Sequence, residues 1–368
     1  MKIQPIQPFI PTTLVLVALL LSTLNPQLST VFAQGSLTPP GAPAPTMKTL
    51  TQIEPRTPIS SVPVTISSPG SYYLTTNLTV TSGNFGVIIN SGNVTLDLNG
   101  FVLQGVSGSY GGVIVNGTYT NITMGNGAIT GWGESGVNAS SYGTSCNLVF
   151  EHLTVSANGG NGIATSAGSV VRDCCSISNA FMGIYCAGGL ISGCMSRNNG
   201  SYGIYANDCV VRDCQAESNS NSGIGVTYST VRDCHVRNNA LNGIYAVGST
   251  VSGCYVSGNT RDGILVNGGD CQIIGNNCSS NNISGNVNDA GILIYYSNNR
   301  VEDNHVTGNG NSGIWVFNGG YHNNIIVKNT VIGTNNYSIP TGQISGPLIT
   351  NTVSGVITNS NPWANFSF

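Results

Sequence analysis

Four groups of residues in this chain have types and spacing suited to chemistry. The first is Arg261-Asp262 with Asp289, the acidic pair that the repeat register brings near the starts of neighbouring strands. A base beside a cation would suit proton abstraction next to a uronate carboxylate, and two carboxylates about 6.5–9.5 Å apart would suit an inverting hydrolase. The second is an aromatic series: Tyr185, Tyr205, Tyr245 and Trp315 each stand one residue past a Gly-Ile pair. Strand alternation places such residues on one outward face, where they would stack on sugar rings. The rival reading is cross-strand packing, about 0.2–1 kcal/mol per pair. The third is Cys174, Cys194, Cys214, Cys234 and Cys254, spaced 20 residues apart. Thiols stacked this way act as small buried apolar side chains, although neighbours about 4.8 Å apart also permit a disulfide. A linear stack lacks the convergent geometry of a metal site, so no metal or cofactor is expected. Cys271 and Cys278 flank a strand and are the disulfide candidates outside the column. The fourth is Arg172-Asp173, Arg212-Asp213 and Arg232-Asp233, read as surface ion pairs of about 0–1 kcal/mol each or as an anion-binding edge.

These groups are held by a repeat. Gly-Val or Gly-Ile pairs recur from Gly86 to Gly313, at intervals of 20 to 28 residues. Four residues before the Gly an Asn keeps phase at Asn158, Asn179, Asn199, Asn219, Asn239, Asn259 and Asn309, and five residues before those Asn stand the column cysteines, continued by Asn304. Helical repeats need longer periods and 3.6-residue apolar spacing, which is absent. Short alternating runs separated by Gly, Asn and Ser turns fit single coils of a parallel β-solenoid, stacked about 4.8 Å apart. Ile163, Ile184, Ile204, Ile224, Ile244 and Ile264 should then form an inward stack, and the Asn column should bond amide to amide.

With the opening Val94-Thr-Leu-Asp-Leu-Asn-Gly100, these columns resemble the pectate-lyase-like parallel β-helix repeat proteins over about residues 58–335. The resemblance implies an all-β, single-stranded, right-handed parallel β-helix of about 11–12 coils. That group includes polysaccharide lyases, hydrolases, epimerases, tailspikes, adhesins and a periplasmic accessory protein of copper-enzyme maturation, so fold alone does not select an activity. The acidic residues expected on the outward strand face of its lyases are absent here, as are the Asp clusters and Gly-His-Gly signature of its galacturonases.

Only 7% of the 368 residues are charged, the net charge is −3, and 40% are hydrophobic. Disorder and nucleic-acid binding are disfavoured. Eleven cysteines is an odd number, so at least one thiol has no partner within the chain. Residues 1–33 read as a signal peptide cleaved near Ala33, with an apolar run too short to span a bilayer. Residues 34–57 read as a Pro-rich leader with a short capping helix around Met47, Leu50 and Ile53, residues 58–335 as the repeat domain, and residues 336–368 as a C-terminal cap or tail. The expectation is a secreted or periplasmic protein that is structural or binds polysaccharide. The alternatives are a lyase, hydrolase or epimerase on an acidic glycan, with Arg261, Asp262 and Asp289 as its site, and a periplasmic metal-enzyme accessory protein.

Overall fold

Each coil is three short strands joined by corners, and the sequence of one coil shows why. Between Gly203 and Ser222 the chain turns at Asp208, Asp213 and Ser218, whose φ values are 50°, 56° and 54°. A left-handed residue turns the chain sharply, and small polar side chains tolerate that region best. Between the corners, alternation sends Ile204, Ala206, Val211 and Ala216 into the core, all 0% exposed. The structure is a computed structural model that describes residues 54–140, 145–333, 335–350 and 359–368. The predicted signal peptide and capping helix lie outside these residues. No α-helix occurs among the described residues, and none is long and apolar enough to cross a membrane.

Every strand pairing is parallel and joins one coil to the next, so the coils build three sheets. Sheet 1 carries the Gly-Ile strands and runs through thirteen strands, from Val64–Ile66 to Asn335–Ser338. Sheet 2 follows it in each coil (Val210–Arg212 in register with Thr230–Arg232), and sheet 3 follows that (Gln215–Glu217 with His235–Arg237). The thirteen strands exceed the 11–12 coils expected because the end coils lack the signature. Pro63 precedes Val64 where Gly86 precedes Val87, and Asn336 stands opposite Gly313, since Ile314 is in register with Tyr337.

The inward isoleucines stack as expected, with Ile184, Ile204, Ile224, Ile244 and Ile264 in direct register. All three corners carry ladders. At the corner from sheet 3 to sheet 1, the Asn199 amide and backbone N–H both donate to Asn219 Oδ1, at 3.0 and 3.1 Å, and the pattern repeats from Asn158 to Asn309. At the corner from sheet 2 to sheet 3, the cysteine column runs into Asn276, Asn304, Asn329 and Asn365, each bonded to the next. At the corner from sheet 1 to sheet 2, Cys209, Ser229, Ser249, Cys271, Asn299 and Asn324 form a third ladder, each backbone N–H donating to the side chain one coil on. The ladder side chains at these corners are thereby satisfied, which removes a cost of about 1–3 kcal/mol for each one otherwise left unpaired.

The column cysteines are buried free thiols, and the Cys214 S–H donates to the Arg212 carbonyl at 3.1 Å. Hydrogen bonding with the Cys194 and Cys234 thiols, then burial, pushes Cys214 well above its ordinary pKa. Cys271 and Cys278 are not bridged. Cys271 occupies a rung of the third ladder, while Cys278 replaces Val256 in the core of sheet 3, and burial raises both pKa values.

Candidate functional site

The outward face of sheet 1 is built by alternation. In successive coils Tyr185, Tyr205, Gly225, Tyr245, Leu265, Leu293 and Trp315 stand in one register column. Tyr185 and Tyr205 stack nearly parallel, with ring centroids 6.2 Å apart and 10° between planes. Gly225 is required by close approach: a Cβ there would come within 2.8 Å of both the Tyr202 and Tyr205 rings. Tyr202, which the sequence did not single out, packs on Tyr205 with centroids 5.0 Å apart. The Tyr245 hydroxyl accepts the Asn267 amide at 2.5 Å. Leu293 is 1% exposed, so the open column divides there. Beyond it Trp315 lines a cavity of about 360 Å³ with Asn311, Asn335 and Val287, and reaches the Tyr295 ring through Phe317.

The charged candidates are brought together beside this face. Arg261 grips Asp289 of the next coil through two contacts, Nη2 to Oδ1 at 2.9 Å and Nε to Oδ2 at 3.2 Å. Asp262 Oδ1 accepts the Ala290 N–H at 2.7 Å, and its own N–H donates to Asn242. Burial raises the Asp262 pKa to about 7, against the opposing pull of that Ala290 bond. Both carboxyls are buried and already partnered, an arrangement that supports the corner and leaves only Arg261 facing solvent. The arginine edge is paired as well: Arg212 with Asp213 at 2.6 Å, Arg232 with Asp233 at 3.1 Å, and Arg172 with Glu151 of the coil before. Among the described residues no group of three or more His, Cys, Asp or Glu is placed to hold a metal ion.

In keeping with the three-sheet geometry, the sequence matches a family described as right handed beta helix region over residues 185–250 and 230–361. The fold is a right-handed parallel β-helix. Among solved structures, the β-helix is similar to the A-module of mannuronan C-5 epimerase AlgE6 from Azotobacter vinelandii, at 19% identity and a TM-score of 0.57. The match covers 76% of this chain and 91% of that one. The AlgE4 A-module of the same organism matches at 17% identity over the same shares, with a TM-score of 0.56. At that identity the β-helix shares a fold with these modules. No curated protein matches the sequence.

Proposed function

We propose that this is an exported β-helix protein that binds an extended polysaccharide along the outer face of sheet 1. The observation that carries the reading is the parallel stack of Tyr185 and Tyr205, continued in register by Tyr245 and Trp315. Coil spacing sets these platforms about 5 or 10 Å apart along the tyrosine segment, so one extended chain touches several. From Ile163–Thr165 to Ser312–Val316 the strands of sheet 1 carry no charged side chain before the corner, although one continuous strand, Ile204–Arg212, runs on through Asp208 at the corner to Arg212 in sheet 2. Such a face suits the apolar sides of sugar rings and supplies little to hold a polyanion. Fold kinship with the mannuronan C-5 epimerase modules supports a glycan ligand only by analogy. Residues 1–33 serve as the export signal in this reading, 34–57 as leader, 58–335 as the binding rod and 336–368 as its cap.

A second reading, a lyase, hydrolase or epimerase, is favoured by one observation: Asp262, with its pKa near 7, lies beside Arg261 and Asp289. One experiment separates the two. A polysaccharide array is scored for bound protein and for released or altered product. Retention without product supports binding, product supports the enzyme, and neither overturns both.

A further inference from the structure

The corner from sheet 1 to sheet 2 turns on one left-handed residue per coil. From Asn93 to Asn323 that position has positive φ in eleven successive coils, and ten of them use Asn, Asp or Gly, among them Asn147, Gly168, Asp208, Gly248 and Asp270. The exception is Tyr228, at φ 50° and 69% exposed. A bulky side chain is disfavoured in that region, and such outliers persist where the surrounding structure holds them and cluster at ligand sites. The Tyr228 ring lies over Gly248 of the next coil, where a Cβ would meet it at 2.8 Å.

Past that ring the corner opens into a notch of about 560 Å³, walled by Tyr228, Tyr296, Asn267 and Asp270. Its floor is Gly248 with Gly268 and Gly269, so the backbone is bare along its length. Tyr296 also has positive φ, at 92°. Its ring packs on Tyr321 with centroids 5.1 Å apart, and its carbonyl accepts the Asn299 and Asn324 amides at 3.2 and 3.0 Å. That wall is therefore fixed in advance. Asn267 connects the notch to sheet 1, because its amide donates to the Tyr245 hydroxyl.

We infer that this notch is a second saccharide subsite, which takes a short uncharged branch or chain end of the glycan held on sheet 1. The inference rests on the binding reading above. Two tyrosine walls offer platforms for the C–H faces of pyranose rings. Three coils separate them, about 14 Å by strand spacing, which admits a short saccharide lying along the rod. Asp270 and Asn267 supply acceptors and a donor for hydroxyls, and the Asp270 carboxylate repels a uronate.

The test uses the full chain with cellohexaose, mannohexaose, maltohexaose and galactohexaose, measured by calorimetry, together with Tm. Tyr228→Gly restores the residue type that the corner favours. The expected result is at least a tenfold loss of affinity for the oligosaccharide bound by wild type, with Tm unchanged or higher. Full affinity in Tyr228→Gly overturns the notch alone, provided Tyr205→Ala still weakens binding. A loss of Tm in Tyr228→Gly without loss of affinity assigns the ring to packing and also overturns the notch. Failure of wild type to bind any of the four overturns the notch and the sheet 1 reading together.

Discussion

Asp262 Oδ1 accepts the backbone N–H of Ala290 at 2.7 Å, one coil away, in the column where Asn242 accepts the N–H of Asp262 at 3.2 Å. A carboxyl has thus taken the place of an amide in a buried ladder. An amide accepts this bond without charge, whereas the carboxylate needs burial of a charge.

A pH dependence follows. The folded pKa, about 7, lies above the ordinary carboxylate value near 3.9, so between these limits the folded chain binds more protons than the unfolded one. The contribution of this group is complete below about pH 4 and is lost as pH rises through about 7. Asp262→Asn is expected to match wild type at about pH 3.5 and to exceed it by about 1–3 kcal/mol at about pH 8. Urea denaturation at the two pH values checks this. Equal stabilities at pH 8 would count against it.

Asn219 is the middle of the longest uninterrupted amide ladder. Its Oδ1 accepts two bonds from Asn199, and its Nδ2 donates to Asn239 Oδ1 at 3.0 Å and to the Ser196 carbonyl at 3.2 Å. Asn219→Ala strands those partners inside the rod, at about 1–3 kcal/mol for each group left unsatisfied. We expect a loss of about 3 kcal/mol or more, with β-rich circular dichroism preserved below the transition. A loss under about 1 kcal/mol would show that water enters the corner.

The thiols give a chemical readout. Nine of the eleven cysteines are buried and free; Cys146 is exposed and Cys175 half-buried. Ellman's reagent on the native chain is expected to titrate one or two thiols, and in guanidinium without reductant all eleven. A denatured count short of eleven would reveal bridges within the stack.

Tyr205→Ala tests the aromatic face. The ring packs on Tyr185 and Tyr202, contacts worth about 0.5–1.5 kcal/mol each beyond area, so a small drop in Tm is expected. Glycan affinity should fall about fivefold or more, close to 1 kcal/mol. If Tm falls steeply while affinity holds, the column is packing and no platform.

Much of this architecture was legible because stacking forces like residues above like. Once Ile204 lies over Ile184, period and column are the same fact, and the sequence period alone places Tyr185 against Tyr205. Legibility failed wherever a coil departs from the period. Asn281 belongs to the ladder between Asn259 and Asn309, yet it precedes Gly291 by ten residues where Asn259 precedes Gly263 by four. The end coils hid behind Pro63 and Asn336 in place of Gly. The nearness of Asp262 and Asp289 was readable from register, but not their burial, nor the ion pair that Arg261 makes with Asp289 of the next coil. Tyr228 gave no signal at all, because a single tyrosine in a variable corner is distinguished only by its φ.

The coils from Gly183 to Gly263 are each 20 residues long, with corners, ladders and core in the same places. The backbone and asparagine-ladder bonds between neighbours are made by a motif that recurs one coil later. Removing or duplicating one such segment in frame would rejoin Ile to Ile, Asn to Asn and Cys to Cys without a new kind of contact. Rod length is therefore a quantity that genetic duplication can change in whole steps. Each step adds or deletes one outward position after Ile, so lineages can edit the spacing of surface rings while the interior stays unaltered.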